Sequence, residues 1–289
     1  MNLKWTLVIN CYLMAYNPNT IWISHTSLND FDKCKQLYYL RNLYRDQKYN
    51  NNFRIQVASP YLSLGEAVHD AIDNFVTRYP VFDRDKDNLL YEFNRGWNLK
   101  PGRIGGFKNE GQEKEFKERG EAMLERFYKN SYFSKGNPLR IDFPKLPLIG
   151  EDDAVLVGNF DWLEEDPEGL HLLDFKTGTL EEDEGSLQLP IYALLAEHNF
   201  KKPVAKVSYW YLDRDDEPVS RSMSNLTQTL EKVKQQALEM QKTIQNKEFA
   251  CSADVGYCKF CHEYHKAKGG QAEHVQTDFK RKREVFYLN

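Results

Sequence analysis

The sequence predicts a mixed α/β fold with a central sheet flanked by helices. Apolar residues recur at helical spacing up to about residue 135, and short segments rich in β-forming residues follow Pro138. These segments read LRIDF, AVLVGNFDWLEE and LHLLDFKTG. A helix, a further strand and a long helix come after them, and this order of elements indicates a mixed sheet.

The helices are predicted from their periodicity and from the signals at their ends. The first extends from Ser27 to about Arg45, has Ser27 or Asn29 as its N-cap, and carries Cys34. The second covers 64–79 and ends at Pro80, which cannot continue a helix. We also expect helices at 112–128, 186–197 and 226–247, a strand at 204–212, and loops or short helices at 81–110.

Length and composition predict one soluble domain. The 289 residues are 41% hydrophobic and 28% charged, and no linker-like stretch divides them. The expected parts are an N-terminal extension (1–23), a mainly helical part (24–135), a core (136–248) and a cysteine-rich C-terminal segment with a tail (249–289). The net charge of −4 argues against a surface that binds nucleic acid throughout, but it allows a local basic groove.

The sequence contains no signal for a membrane or for export. No apolar run approaches the roughly 20 residues that span a bilayer. The N-terminal stretch WTLVINCYLMAY includes the polar Asn10 and lacks a small-residue cleavage site, so we interpret it as a buried strand or an extension, with Met14 as an alternative start. The clustered cysteines are typical of ligands in a reducing compartment, so we expect a cytoplasmic protein.

The segment LLDFKTG presents a carboxylate and an ammonium group together. Side chains alternate along a strand, so Asp174 and Lys176 point to one face while Phe175 points into the core. Burying either charge alone would be costly, whereas both can share a polar site with a divalent cation. Taken alone, such a pair is more often a solvated strand face.

A second carboxylate is expected beside this pair. Asp161 precedes Asp174 by a distance that suits a hairpin, so the two carboxylates can meet at one cation on neighbouring strands. Oxygen ligands suit Mg²⁺ or Mn²⁺, and an imidazole from His69 would favour Mn²⁺. On the following helix, Gln188 and Tyr192 are four residues apart and share a face that can look at the same cleft.

The ordered set of motifs resembles the RecB-type PD-(D/E)XK nucleases. The matching segments are GEAVHDAI, GNFD, DFKTG and QLPIY, and they span roughly residues 24 to 262. This group includes the nuclease domains of recombination helicases and the nucleases of CRISPR adaptation. The resemblance implies a restriction-endonuclease-like core and a DNA nuclease, more exonuclease than sequence-specific endonuclease, acting on single-stranded or frayed ends.

The resemblance also implies roles for individual residues. It makes His69, Asp161, Asp174 and the carbonyl of Phe175 the metal ligands, with Mg²⁺ or Mn²⁺ as the cofactor. Lys176 would orient the attacking water and stabilise developing charge, and Gln188 and Tyr192 would shape the site and contact the nucleic acid. No phosphate-loop motif is present, so unwinding would need a separate helicase or other repair or CRISPR proteins as partners.

Three cysteines near the C-terminus suggest a second metal centre. Cys258 and Cys261 have C-x-x-C spacing, and Cys251 precedes them. In the nucleases that this chain resembles, one cysteine of the first helix joins three near the C-terminus around a [4Fe-4S] cluster, which makes Cys34 the fourth ligand. Here the distant cysteine precedes the pair, so a zinc site completed by His265, or cysteines that are merely buried, stay as alternatives.

Nucleic-acid contacts are predicted from charge and from aromatic residues. A locally basic region with Gly residues contains Lys100, Arg103, Lys108, Lys114, Lys117 and Arg119. Unpaired bases would stack on Trp97, Phe107 and Tyr61. The run KRKRE from Lys280 is a second basic patch, although such a run is more often a solvated end. Alternatives of another class are a non-catalytic nucleic-acid-binding or assembly subunit and a zinc-stabilised interaction module.

Overall fold

The computed structural model describes residues 19–251, 253 and 256–289. Its strands are β1 (Ile21–Ile23), β2 (Arg54–Val57), β3 (Lys145–Ile149), β4 (Ala154–Val157), β5 (Trp162–Asp166), β6 (Gly169–Lys176), β7 (Val204–Tyr211), β8 (Val219–Arg221), β9 (Glu273–Asp278) and β10 (Arg283–Tyr287). Its α-helices are α1 (His25–Lys33), α2 (Lys35–Tyr38), α3 (Pro60–Arg78), α4 (Lys86–Trp97), α5 (Glu110–Lys129), α6 (Ser131–Ser134), α7 (Gln188–Phe200), α8 (Leu226–Asn246) and α9 (His262–Lys268). A π-helical turn at Tyr39–Leu43 and short 3₁₀ helices at Gln47–Tyr49, Val81–Asp83 and Gly102–Gly105 complete the regular structure.

The central sheet has the strand order β5-β6-β7-β8 and mixes pairing directions. β6 pairs antiparallel with β5 and parallel with β7, so the predicted mixed α/β class is confirmed. Two smaller sheets have the orders β1-β4-β3 and β2-β10-β9. The second of these joins a strand near residue 55 to the C-terminal end of the described chain.

Successive side chains of β6 point to opposite faces of the sheet and contribute to two separate hydrophobic cores. Leu173 and Phe175 pack with α3 and α5, whereas Leu170 and Leu172 pack with α7. Because successive side chains leave a strand on opposite faces, Asp174 belongs to the α7 side. The polar residues at the end of β6 therefore lie next to the start of α7.

The first predicted helix is interrupted where it carries its cysteine. The helix begins at His25 rather than Ser27, and Ser24 caps it, with its side chain accepting a hydrogen bond from the N–H of Ser27. Cys34 has φ −170° and ψ 120°, which is extended backbone between α1 and α2. The predicted single helix was wrong at this point because its periodicity continues through a residue that tertiary contacts hold out of helical geometry.

Several other elements differ from the sequence-based prediction. The segment LRIDF is not a strand, because β3 begins only at Lys145. AVLVGNFDWLEE forms two strands, β4 and β5, with 158–161 between them. Within 81–110 the structure has the twelve-residue helix α4, and in the predicted C-terminal tail it has the hairpin β9–β10.

Some predictions cannot be compared with the structure. WTLVINCYLMAY, Cys11 and Met14 lie outside the described residues. Residues 21–23, assigned to an N-terminal extension, form β1 and pair with β4 in parallel. Within the described ranges, no helix combines the length and apolar character that crossing a membrane requires.

Candidate active site

The hairpin of β5 and β6 brings two carboxylates together. Trp162 lies opposite Leu173 at the end of the antiparallel ladder, so Asp161 and Asp174, the residues that come next on the two segments, lie close enough for their charges to interact. One oxygen of Asp161 accepts a hydrogen bond from the N–H of Phe175 at 2.9 Å. Asp174 is only 4% exposed, which is unusual for a carboxylate and indicates a built polar site.

Helix α3 supplies the imidazole that the sequence assigned to this site. Pro60 begins the helix, and Leu64, Val68 and Phe75 bury its apolar side, so the polar ring of His69 is set beside that side. The distance from His69 Nδ1 to Asp161 Oδ1 is 3.0 Å. Three separate elements therefore converge as the motif order predicted.

Lys176 is held by three oxygen-bearing side chains. Its Nζ lies 3.0 Å from Asp174 Oδ2, 3.0 Å from Glu182 Oε1 and 2.5 Å from the side-chain oxygen of Gln188. The amide nitrogen of Gln188 donates to Asp174 Oδ1 at 2.9 Å. Tyr192, one turn further along α7, lies near Gln188, and burial together with the charge of Asp174 raises the pKa of its hydroxyl. Four of the five predicted catalytic side chains, Asp174, Lys176, Gln188 and Tyr192, thus lie in one cluster. The fifth, Asp161, lies beside it and contacts His69 and the N–H of Phe175.

Glu182 is a member of this cluster that the sequence analysis missed. It lies in the acidic run 181–184, to which the sequence analysis assigned no role in the site. Its backbone N–H donates to the hydroxyl of Tyr211 at 3.0 Å, which fixes the loop after β6 against β7. The signal available in the sequence was an acid six residues after Lys176, close enough to return to the same ammonium group.

The charges of the cluster are strongly coupled. Burial and the nearby charge of Asp161 raise the pKa of Asp174 to about 7. Burial alone would lower the pKa of His69, but the Asp161 carboxylate more than offsets this effect and raises it to about 9. Burial opposes the charged forms of Lys176 and Asp161 as well, yet attraction to their partners raises the pKa of Lys176 and lowers that of Asp161.

The donor set fits a divalent cation. Two carboxylates that repel each other in a buried site gain most from a cation, and their hard oxygen atoms suit Mg²⁺ or Mn²⁺. A cleft of about 360 Å³ opens on His69, Asp161 and Phe175, so an ion and a phosphate group can reach them. The arrangement can therefore bind a cation beside a fixed ammonium group, which is the combination that phosphodiester hydrolysis needs.

Comparison with known proteins decides the family. The sequence profile of the PD-(D/E)XK nuclease superfamily matches residues 22–264, which is most of the chain. The chain belongs to the PD-(D/E)XK nuclease superfamily. Among solved structures, the nuclease is similar to a crystal structure from Eubacterium rectale described as a putative exonuclease, with a TM-score of 0.52 and 14% sequence identity. The match covers 91% of this chain and 94% of that chain, and at this identity it shows the shared fold. The search of curated proteins gave no significant match.

The nuclease also gathers four cysteines at one place. The sulfur atoms of Cys34, Cys251, Cys258 and Cys261 lie within 4.8 Å of one another. Cys261 Sγ is 3.5 Å from that of Cys251 and 3.6 Å from that of Cys258. The four residues can hold a metal ion, and they tie the break between α1 and α2 to the segment before α9.

The ligand set that the structure assembles is four cysteines without a histidine. His265 is not part of this group of potential ligands, and its ring stacks on Tyr257 at a centroid distance of 3.5 Å. Tetrahedral zinc with Zn–S bonds of about 2.3 Å places its sulfur atoms about 3.8 Å apart. The observed separations are close to that value, whereas the irons of a [4Fe-4S] cluster each take a different cysteine and require a wider arrangement.

The predicted nucleic-acid contacts were largely misplaced. Trp97 and Phe107 are 4% and 1% exposed and stack on each other in the core, so they cannot receive bases. Tyr61 is exposed but rests edge-on against Phe116. Most cations of the predicted basic region are neutralised by carboxylates, in the pairs Lys100–Glu66, Arg103–Glu273, Lys114–Glu118, Lys117–Glu121 and Arg119–Asp213.

Proposed function

We propose that the chain is a divalent-metal-dependent deoxyribonuclease that acts as an exonuclease on single-stranded or frayed DNA ends. The observation that carries this proposal is that the buried carboxylate of Asp174 interacts with the charge of Asp161 and lies 3.0 Å from the ammonium group of Lys176. A protein released from catalysis has no physical need to bury such a trio, because each charge costs free energy to desolvate.

His69, Asp161, Asp174 and the carbonyl of Phe175 are the proposed metal ligands. A bound divalent cation supplies a Lewis acid for the phosphate and makes water a better nucleophile at neutral pH. Lys176 keeps its proton because three oxygen atoms surround it, so it acts as a fixed positive charge and as a hydrogen-bond donor. Gln188 orients Asp174 and Lys176 together, and Tyr192 supports Gln188 from the next turn of α7.

The exonuclease part of the proposal has two supports. The structural relative with which the chain shares its fold is described as an exonuclease, and the motif order resembles nucleases that process DNA ends. The sequence has no phosphate-loop motor, so we propose that a separate helicase, or proteins of repair or CRISPR adaptation, expose the strand.

A cleavage assay tests the enzyme. Labelled linear single-stranded DNA is incubated with Mn²⁺, with Mg²⁺ or with EDTA. We expect cleavage with either ion and none with EDTA, and Asp174→Asn should abolish cleavage. Asp152→Asn, an exposed aspartate in the turn before β4, is the matched control and should retain full activity. Cleavage by Asp174→Asn at the wild-type rate would sink the proposal and leave a non-catalytic subunit as the better interpretation.

A second substrate separates exonuclease from endonuclease. Circular single-stranded DNA offers no end, so an exonuclease leaves it intact while degrading the linear strand of the same sequence. Rapid cutting of the circle would overturn the exonuclease part and leave the metal-dependent nuclease standing.

For the four cysteines we propose a structural metal centre. The motif resemblance favours [4Fe-4S], and the sulfur separations favour a single Zn²⁺. Both accept thiolate ligands. Protein purified without oxygen distinguishes them: brown protein with iron and labile sulfide indicates the cluster, and colourless protein with one equivalent of zinc indicates the ion. Protein with neither metal would contradict the proposal.

A further inference from the structure

A second groove of about 1250 Å³ lies apart from the metal ligands. Its lining includes Trp22, Arg45, Arg54, Phe143, Arg281 and Lys282, and we call it the arginine groove. Sites for small molecules usually have about 300–1,000 Å³, so this volume suits part of an extended ligand. The proposed function assigns nothing to this groove.

The sheet β2-β10-β9 brings cations of the arginine groove close together. The backbone N–H of Arg54 donates to the carbonyl of Lys282 at 3.2 Å, and Arg54 lies opposite Arg283 in the parallel pairing of β2 with β10. Like charges at opposed positions destabilise a sheet. Arg283 is compensated by Glu66 at 2.6 Å, but Arg54 and Lys282 contact no carboxylate in the part of the chain that the structure describes.

Arg45 adds a third uncompensated charge. Its guanidinium group donates only to backbone carbonyls, those of Asn42 at 3.0 Å and Tyr44 at 2.8 Å. Burial and the neighbouring charge of Arg54 lower the pKa of Arg45. Asp153 is the single acidic side chain among the described residues that line the groove. Positive charge is thus concentrated here in a chain whose net charge is −4.

The groove also offers aromatic surface. Trp22 and Phe143 meet edge to face with centroids 5.5 Å apart, and Phe143 remains 53% exposed. An exposed aromatic ring beside unneutralised arginines is complementary to an unpaired nucleic-acid strand. The phosphates of such a strand bind cations, and its bases can stack on aromatic rings. The bases of a duplex are already stacked and do not reach such a surface.

The groove and the catalytic cleft are neighbours. Arg281 lines the groove and also binds Asp70, the residue after His69, at 2.6 Å. Phe143 lines the groove while Asp142, the preceding residue, lines the cleft that contains His69 and Asp161. A strand lying in the groove would therefore have a short path to the metal ligands.

We propose that the arginine groove binds the phosphates of an unpaired DNA strand and leads that strand into the catalytic cleft. This inference rests on the proposed nuclease function and deepens it, since it assigns the surface that selects a single strand. Arg45, Arg54 and Lys282 hold the phosphates, and Trp22 with Phe143 receives a base.

Binding without cleavage tests the groove. The fluorescence anisotropy of a short labelled single strand is measured with the full-length protein in EDTA over a series of salt concentrations. The test variant is Arg54→Gln with Lys282→Gln, both exposed residues. We expect its affinity to fall at least about tenfold, and the slope of log K against log salt to fall by about 1.4 for two lost phosphate contacts.

The control variant removes the same number of charges elsewhere. Lys114→Gln with Lys117→Gln deletes two cations of α5, each of which pairs with a glutamate one turn along the helix. We expect wild-type affinity from it, and we expect Arg54→Lys to keep most of the binding. Equal losses of affinity in the test and control variants, or no loss in the test variant, would overturn the proposed role of the groove. Duplex DNA bound as tightly as the single strand would also overturn it.

The two proposals fail separately. If the protein binds the single strand through Arg54 and Lys282 but never cleaves with Mn²⁺, the nuclease function falls and the groove stands. If the test variant cleaves and binds like the wild type, the groove falls and the nuclease function stands. Asp174→Asn should bind the strand in EDTA as tightly as the wild type, because it leaves the groove unchanged.

Discussion

The side chain of Gln188 joins Asp174 to Lys176 by donating to the carboxylate at 2.9 Å and accepting from the ammonium group. An amide can do both at once, whereas a carboxylate or an ammonium group in its place would repel one of the two partners. Gln188 thus positions two groups of the site from the first turn of α7.

Removing this amide should lower activity without unfolding the protein. We expect Gln188→Ala to reduce kcat by about 10- to 100-fold and to raise the Mn²⁺ concentration needed for half-maximal activity, because Asp174 loses its orientation. Gln235→Ala, an exposed glutamine of α8, is the control. An unchanged Mn²⁺ requirement would mean that Gln188 does not position the ligand.

The packing of α5 against α4 depends on Gly120, which has no side chain. A Cβ added at Gly120 would lie 2.5 Å from Cζ of Phe93, a ring that is fully buried. We expect Gly120→Ala to lower the free energy of unfolding by about 1–3 kcal/mol through overpacking.

Gly96 provides the opposite case on α4. A Cβ added there meets no atom within 4 Å, so Gly96→Ala should raise stability by roughly 0.5–1 kcal/mol through its helix propensity. Urea unfolding of both variants checks the pair. Equal effects of the two substitutions would show that propensity, not the Phe93 contact, governs these positions.

His25 should make stability depend on pH. Burial lowers its folded-state pKa to about 4, although Glu182 partly opposes this shift, whereas the unfolded value is about 6.5. Between these two pKa values the unfolded chain binds more protons than the folded chain. The contribution of His25 to folding stability is therefore complete above pH 6.5 and is lost as the pH falls towards 4. We expect the free energy of unfolding of His25→Gln, measured with urea, to fall by roughly 1–2 kcal/mol less than that of the wild type when the pH is lowered from 7 to 5. Parallel pH profiles of the two proteins would contradict this.

Cys34 should control the stability of the C-terminal segment. We expect Cys34→Ser to reduce bound metal and to lower the thermal midpoint by several degrees, because one ligand of four is replaced by a weaker one. Cys11→Ser, which removes a cysteine outside the four, is the comparison and should retain the metal. Loss of metal from both variants, or from neither, would remove Cys34 from the ligand set.

Local sequence pattern was enough to predict the polar end of β6. Alternation along a strand is a short-range property, so Asp174 and Lys176 could be assigned to one face and Phe175 to the core before any tertiary contact was known. The hairpin that brings Asp161 near Asp174 was predictable for the same reason, since a short turn fixes its register. His69 and Gln188 required the family's motif order, because neither residue type is diagnostic alone.

Predictions from the sequence were wrong where contacts between distant residues determine burial or backbone geometry. Trp97 and Phe107 were assigned to base stacking, yet both rings are buried and pack against each other in the core. Cys34 interrupts a periodic helix because it must meet cysteines more than two hundred residues away. Such contacts leave no trace in a local window of sequence.

The sequence by itself determined the α/β class, the β5–β6 hairpin, and the chemical identity of the groups that we propose hold a cation, since these follow from side-chain alternation and short connections. The tertiary structure alone decided which cations stay uncompensated. Arg54 meets Lys282 only because β2 pairs with β10, and Lys100 and Arg119 pair with Glu66 and Asp213 only because the fold places those carboxylates beside them. Lys114 and Lys117 differ, because their glutamates lie one turn along the same helix. Electrostatic energy depends on distance in space, and for residues so far apart in sequence that distance is set by the fold.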